Sequence, residues 1–560
     1  MNIEIHVDNR YYPWTCGTID EIGYWFKGTV FYGDELLDGA MIARLISELY
    51  NNKHTLEQFL RTLNGTFAFI LDLPDRTLVV VDRLRSIPLF YTKTELNLII
   101  SDDANFIREL INSPFNECNS VELLVTGYVT GSETLFDGIS QLQAGEYLLY
   151  DLATENLTTG CYYRFKHENF FKDPEEVLLN RLDEVLVRVF KRLIASTKDQ
   201  QIVVPLSGGL DSRLIIAMLK RLGVDNVICF SYGSKNWPEA KISRQVSEAV
   251  GYPWHYVEYT EDKWYACYHS DMMKEYNTYA GNLTSLPYIQ DFLAIKELND
   301  DGKLNDNAVF VPGHTDLFPG VFIPHDYSKD QDYTIEKLLK DIVKQHYHLR
   351  QFDGAIDLIP FFKKKILQTF EDIHVHDSES CADALELFAL KERTAKLILN
   401  GFRAFEFFGF DWRIPLCDAE LMDFYSRVPV SNRIKKIFYR KYVGERLFTS
   451  EFEALKQIEC TTHLGLSLSS SLKSMIKRSE TLSDIAIRVA RSKQKRMEYE
   501  QHRYAMWGII PEYDYNNLYS RITYINSFLA FAYLEGLFPD LKWKIFPKII
   551  LCNKSSSNYD

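Results

Sequence analysis

At 560 residues, with 46% apolar and 25% charged side chains, the chain is long enough for two or three domains with sizeable cores and has the balance of a soluble globular enzyme. Its net charge of −14 disfavours unspecific binding to nucleic acid or to an anionic membrane surface. Nine cysteines, at positions 16, 118, 161, 229, 267, 381, 417, 460 and 552, form no Cys-x-x-Cys pair and no metal spacing, so no zinc site is implied and reduced thiols in a cytoplasmic protein are expected.

The first residues, Met1-Asn2-Ile3-Glu4-Ile5-His6, lack the apolar core of a signal peptide. From about residue 20 to 165 the chain is rich in short β-type segments: residues 64–72, 81–83, 87–91, 101–104, and 127–129 running on to 135–139. This alternation gives way between Tyr163 and Asp183 to a helical pattern over residues 176–192. A boundary is expected there, dividing the chain into 1–170 and 171–560.

From residue 201 onward strands and helices alternate, as a doubly wound parallel sheet requires. Residues 201–206 read as a short buried strand and residues 213–222 as an amphipathic helix ending at Gly223. Between them stands Ser207-Gly208-Gly209-Leu210-Asp211-Ser212, directly after Leu206. Gly208 and Gly209 allow a sharp turn that brings bare amides against phosphate oxygens, and the following helix adds its positive dipole end. Ser207 and Ser212 supply hydroxyl donors. A carboxylate beside phosphates repels them unless a cation intervenes, so Asp211 is assigned a Mg²⁺ contact. The loop reads as a pyrophosphate cradle for ATP split to AMP and pyrophosphate. It is not a Walker loop, because no Gly-Lys-Ser/Thr ends it.

Val227-Ile228 leads into a second strand and loop, Cys229-Phe230-Ser231-Tyr232-Gly233, and a helix runs from Pro238-Glu239-Ala240-Lys241 to Gly251. A third strand and loop is Val309-Phe310-Val311-Pro312-Gly313-His314-Thr315-Asp316. Beyond about 330 the pattern is mostly helical. Residues 326–332 and 461–474 read as surface loops, the latter where a mobile cover would be useful. The basic run 491–496 reads as a solvated helix face. Residues 525–538 are apolar but carry Glu535 and are too short to span a bilayer. Aromatics make up 14% of the chain, which suits either a tightly packed interior or a cleft for a ring-bearing ligand.

Ser-Gly-Gly-Leu-Asp-Ser after a strand resembles the signature of the N-type ATP pyrophosphatases, and its surroundings resemble the asparagine synthetase and β-lactam synthetase branch. That resemblance implies a specific site. Tyr232 and Gly233 fall where the family holds adenine by backbone contacts, Pro312 and Gly313 on the pair packed around the nucleotide, and Asp316 on the second Mg²⁺-binding aspartate. His314 stands near the family's loop glutamate or tyrosine, in a loop one residue shorter; it reads equally as a solvated turn residue and as a substrate or proton-transfer group. Trp412-Arg413-Ile414-Pro415-Leu416-Cys417-Asp418 is similar to a family stretch that opens a helix on the synthetase core. Lys436 and Arg440 repeat the family's Lys-x-x-x-Arg spacing, with the lysine implied to neutralise charge on the α-phosphate and leaving pyrophosphate; Lys435 next door leaves two registers open.

Residues from about 20 to 165 are similar to the family's N-terminal glutamine amidotransferase, an Ntn-type sandwich. Its chemistry is missing from the sequence. Such a glutaminase needs an N-terminal cysteine whose free amine serves as base, whereas position 2 is Asn2, Lys27-Gly28 replaces the oxyanion-hole Asn-Gly, and Cys16 has no processing signal around it. The resemblance therefore implies a β-rich Ntn-type sandwich followed by a doubly wound, adenine nucleotide hydrolase-like synthetase domain with a helical C-terminal part. The implied reaction is ATP- and Mg²⁺-dependent adenylation of a small-molecule carboxylate, then attack by ammonia or an amine. Nitrogen would come from free ammonia, a separate glutaminase or the substrate itself; a homodimer is compatible, and neither nucleic acid nor membrane is expected as a partner. An intramolecular cyclase and a nucleotide-binding protein with a decayed site are the alternative readings.

Overall fold

Alternating apolar residues put the first third of the chain into two stacked sheets, and the computed structural model describes residues 2–49, 53–235, 237–313, 320–329, 331–349, 359–370, 373–458, 502–511 and 525–537. The smaller sheet runs in the order Asn2–His6, Asn97–Ser101, Phe90–Lys93, Ser140–Gln141. The larger runs Asn156–Cys161, Glu146–Asp151, Arg76–Val81, Leu63–Asp72, Ile22–Tyr32, Thr15–Ile19. Strand periodicity sorts its side chains: Ala68 and Ile70 point between the sheets with Val79, Val81, Leu98 and Ile100, while Phe67, Phe69 and Leu71 point outward. That outer face is covered by the helices Gly39–Leu49 and Lys53–Thr62.

After the 22-residue helix Glu175–Ser196, strands and helices alternate as expected. Five strands form a wholly parallel sheet in the order Trp254–Glu258, Val227–Gly233, Ile202–Pro205, Val309–Phe310, Asp411–Trp412. Ile202–Pro205 lies at the centre, and the winding reverses between it and Val309–Phe310. Such a sheet is buried on both faces, which is why Val203, Val204 and Phe230 are fully shielded from solvent. Beyond residue 320 the described elements are helical except for Asp411–Trp412.

One segment departs from its expected form. Residues 127–129 and 135–139 extend no sheet strand; a helix, Glu117–Thr126, precedes them, and they make only isolated bridges, Tyr128 with Ser285 and Phe136 with Phe115. Val129 and Leu135 donate to the carbonyls of Thr284 and Leu283, and Leu286 donates to Gly127. The apolar residues there share one cluster with Phe90 and Ile99 of the sandwich and with Ile295 and Leu397 of the parallel-sheet part.

Consequently one apolar core crosses the boundary. Leu123, Leu124 and Tyr128 belong to the same cluster as Ile295, Leu397 and Phe405, and the late helix Ile525–Leu537 packs on Glu117–Thr126. Polar ties reinforce it: Arg192, on the long helix, reaches Asp34 at 2.9 Å and Asp418 and Glu420 at 2.9 Å each. Asn64 donates to Asp418 at 2.9 Å and accepts the Ala419 amide at 2.9 Å. Replacing Arg192 with alanine strands the nearly buried Asp418 carboxylate. Arg192→Ala is expected to lower stability by about 3 kcal/mol in urea titration, with sandwich and parallel-sheet signals still melting together.

Candidate active site

In an open α/β sheet, ligands bind outside the carboxyl ends of the strands where the winding reverses. Here the loop Leu206 to Gly209 leaves Ile202–Pro205, and Pro312-Gly313 follow Val309–Phe310. The first loop is tied internally. The Ser207 amide donates to Ser212 Oγ at 3.2 Å, the Gly209 amide donates to Ser207 Oγ at 3.2 Å, and the two hydroxyl oxygens stand 3.2 Å apart. Buried Arg213 braces it from behind, donating to the carbonyls of Gly208 at 3.1 Å, Leu455 at 3.0 Å and Ile458 at 2.9 Å. Gly209 opens the helix Leu210–Arg221 without placing a side chain over its first amides. Those amides and the helix dipole suit an anion.

The second loop packs directly on this helix start. A Cβ added at Gly313 would lie 2.8 Å from the Ser212 nitrogen, so only glycine fits. Behind the two loops lies a cavity of about 160 Å³, lined among others by Leu206, Ser207, Ser231, Glu239, Pro312 and Gly313. Tyr232 forms one wall: its ring stacks on Tyr259 at 4.9 Å, its hydroxyl donates to Asp291, and Gln290 Nε2 donates to it at 2.8 Å. Gly233, with φ of +153°, brings its backbone close to Arg503, whose carbonyl accepts the Ser234 amide at 2.9 Å.

Asp211 sits in the helix's first turn. The Tyr439 hydroxyl donates to its Oδ1 at 2.6 Å, and Lys436 Nζ stands 3.6 Å from its Oδ2. Burial, with the Asp211 charge next, drives the Tyr439 hydroxyl well above its usual range, so it stays a donor. Lys435 and Lys436 both hold positive φ, 59° and 57°, a kink that side chains resist. Arg433 anchors it: fully inside, it donates to the Val428 carbonyl at 2.8 Å and pairs with Glu386 and with Glu379 at 3.3 Å. The kink turns Lys436 toward Asp211 and leaves Lys435 exposed. Arg440, one turn on, is also exposed and makes no bond to the loop among the described residues. His314 and Asp316, like residues 461–474 and 491–496, lie outside the described residues.

Sequence reasoning missed three contributors. Glu239 accepts the Gly208 amide at 3.1 Å, Tyr439 holds Asp211, and Tyr504 closes the cavity from a distant segment. Tyr439 lies between the two basic residues singled out and Glu239 begins the helix after the second strand, whereas no local pattern marks Tyr504. For a magnesium ion the fit is fair: it takes one or two carboxylates plus substrate phosphates, and Asp211 offers one carboxylate at an open loop. Among the described residues no cluster of three or more His, Cys, Asp or Glu forms a protein-only metal cage.

In the sandwich, Lys27 is buried mid-strand, 3.7 Å from Asp102 and over the rings of Tyr12 and Trp14. Asp102 also accepts from Trp14 Nε1 and the Asp8 amide, each at 2.7 Å. Gly28, with φ of +99°, stands where a Cβ would meet the Thr66 carbonyl. Cys16 lies on the strand Thr15–Ile19 with its thiol raised by burial, the reverse of an activated nucleophile.

Residues 181–303 match the family model for asparagine synthase, and residues 45–163 match that for a glutamine amidotransferase domain. The chain thus carries an asparagine synthase-type segment and an amidotransferase-type segment. Over 143 residues it is 44% identical to a probable glutamine-hydrolysing asparagine synthetase of Acanthamoeba polyphaga mimivirus, covering 22% of this chain and 26% of that protein. The match thus spans about a quarter of the relative's length. Fainter likenesses, which carry no argument, are to an NH3-dependent NAD synthetase of Campylobacter jejuni and a glutamine phosphoribosylpyrophosphate amidotransferase of B. subtilis. The first shares 14% identity at a TM-score of 0.19, covering 27% of this chain and 60% of that one. The second shares 11% at 0.17, covering 43% and 46%. The asparagine synthase match takes in the loop and three strands of the sheet, and ends before Pro312-Gly313.

Lys436→Ala is expected to slow pyrophosphate release at least ~100-fold, the scale of losing one preorganised charge partner, while Lys435→Ala stays near wild type. Gly313→Ala is expected to weaken nucleotide binding in calorimetry, because the new methyl displaces the Ser212 backbone.

Proposed function

We propose that this chain belongs to the asparagine synthetase family and is an AMP-forming carbon–nitrogen ligase. A carboxylate oxygen attacks the α-phosphorus of ATP, the bond to the bridging oxygen breaks, and pyrophosphate leaves; ammonia or an amine then attacks the acyl carbon, AMP departs and the nitrogen sheds a proton. The observation that carries the reading is the Ser207-to-Ser212 loop at the sheet's reversal point, with Asp211 gripped by Tyr439 and faced by Lys436.

Each group then has a task. The loop amides and the Ser207 and Ser212 hydroxyls cradle the departing pyrophosphate, and Pro312 and Gly313 flank the nucleotide with the Tyr232-Gly233 strand end. Asp211, with Asp316 from the second loop, would hold Mg²⁺, which supplies charge neutralisation to the phosphates when bound. Lys436 offsets negative charge as pyrophosphate separates. Arg440 and His314 are assigned to leaving-phosphate and acyl-acceptor contacts on family resemblance.

For the nitrogen source, the sandwich supports ammonia or an amine over glutamine. Lys27 is consumed by Asp102 and the Cys16 thiol is raised, so neither an oxyanion hole nor an activated nucleophile is assembled from them. A separate glutaminase could still deliver ammonia, and a homodimer is compatible.

Pyrophosphate release from ATP-Mg²⁺ is expected to require a carboxylate and ammonium, to be indifferent to glutamine, and to vanish in Asp211→Ala. Release that rises with glutamine and not with ammonium would refute the silent-sandwich assignment; no release with any acid would refute the ligase.

A further inference from the structure

A second cavity, about 550 Å³, adjoins the nucleotide cleft and shares Tyr288, Gln290 and Tyr504 with it. That is within the ~300–1,000 Å³ of small-molecule sites. Its walls are largely apolar or aromatic, with Leu349, Leu397, Ile398, Met506, Trp507 and Leu529 among them, and no aspartate or glutamate is among the described residues lining it.

Its charge is positive. Arg503 lies over the Tyr504 ring at 4.4 Å on the outer side. Arg393 lies deeper, on the π-helical stretch Ala389–Ile398, a form of helix that recurs at functional sites. Its Nε is closed off from solvent yet meets no hydrogen-bond partner among the described residues. Neighbouring Glu392 does not bond it: its Oε2 accepts from Lys396 at 2.5 Å and from the Gly131 amide at 3.1 Å, and its Oε1 meets no partner among the described residues. The two imidazoles stay neutral and add no further positive charge: burial, then Arg393, lowers His348, and burial, then Arg503, holds His502 at about 4. A buried guanidinium with an unpaired nitrogen is costly, and an anionic ligand group meeting the side of Arg393 that lines the cavity offsets its charge.

We infer that this cavity receives the body of the acyl substrate, and that the substrate is an apolar, ring-bearing carboxylic acid whose second anionic group meets Arg393. The inference rests on the ligase reading. The reacting carboxylate lies in the nucleotide cleft, and the remainder extends past Tyr288 and Tyr504 between Trp507 and Leu397. A small polar acid such as aspartate would leave most of the 550 Å³ as water against apolar walls.

The test uses the full chain and three probes: phenylsuccinate, hydrocinnamate without the second carboxylate, and aspartate without the ring. Calorimetry in the presence of a non-hydrolysable ATP analogue is expected to show phenylsuccinate binding at least ~10-fold tighter than either, with Arg393→Gln erasing its advantage over hydrocinnamate. Leu397→Trp, which narrows the cavity without removing a charge, is expected to weaken both aryl acids and spare aspartate. Aspartate binding as tightly as phenylsuccinate, or a phenylsuccinate advantage unchanged in Arg393→Gln, overturns the inference. Pyrophosphate release separates the two readings. Arg393-dependent binding with no release from any acid keeps the cavity assignment and sinks the ligase; release with aspartate alone, indifferent to Arg393, does the opposite.

Discussion

The contact between two backbones, Gly313 against the first turn of the helix Leu210–Arg221, governs everything else at this site. Only because the central strand Ile202–Pro205 has its neighbours wound in opposite senses do two loops emerge side by side. Only because one of them carries no side chain there can they close to van der Waals distance. A cleft built this way depends on main-chain position, so its shape is set by the sheet and by what buries the sheet. The tight internal bonding of Ser207, Gly209 and Ser212 follows from the same geometry: the loop is already folded around the space a phosphate would occupy.

Charge at the mouth of the cleft is arranged by strain held elsewhere. Two consecutive lysines in the left-handed region are unfavourable by themselves, of order 1–3 kcal/mol each, and persist because Arg433 is locked by the Val428 carbonyl, Glu386 and Glu379. The energy of the Arg433 network is thus spent on direction, aiming one ammonium at Asp211 and sending its neighbour to solvent. Tyr439 completes the arrangement from the same helix, fixing the carboxylate's orientation with a hydroxyl that cannot ionise under ordinary conditions.

How much of this could be read from sequence depended on how local the cause was. The Ser207-to-Ser212 loop, its strand and its helix were legible because turn chemistry and apolar periodicity act over a few residues. The parallel sheet and the mostly helical remainder followed from alternation of the same signals. The β-type reading of residues 127–129 and 135–139 fails because their backbone is satisfied partly by Leu283 to Leu286, more than a hundred residues away, and partly by residues 114–116. The choice between Lys435 and Lys436 was equally closed to sequence, because it turns on backbone dihedrals imposed by Arg433. Tyr504 and Arg393 carry no motif; their importance comes from which walls they form, and walls are a property of tertiary packing.

Because one apolar core runs unbroken from Leu123 and Tyr128 through Phe405 to Leu534, neither half of the chain can be pared from the other without laying bare a large oily surface. Whatever the sandwich does with glutamine, the helix Glu117–Thr126 and the segment that follows it are answerable to the parallel-sheet domain. Under such an arrangement substitution is most restricted at the positions that face the neighbour. A domain in that situation works as a buttress whether or not it runs a reaction of its own.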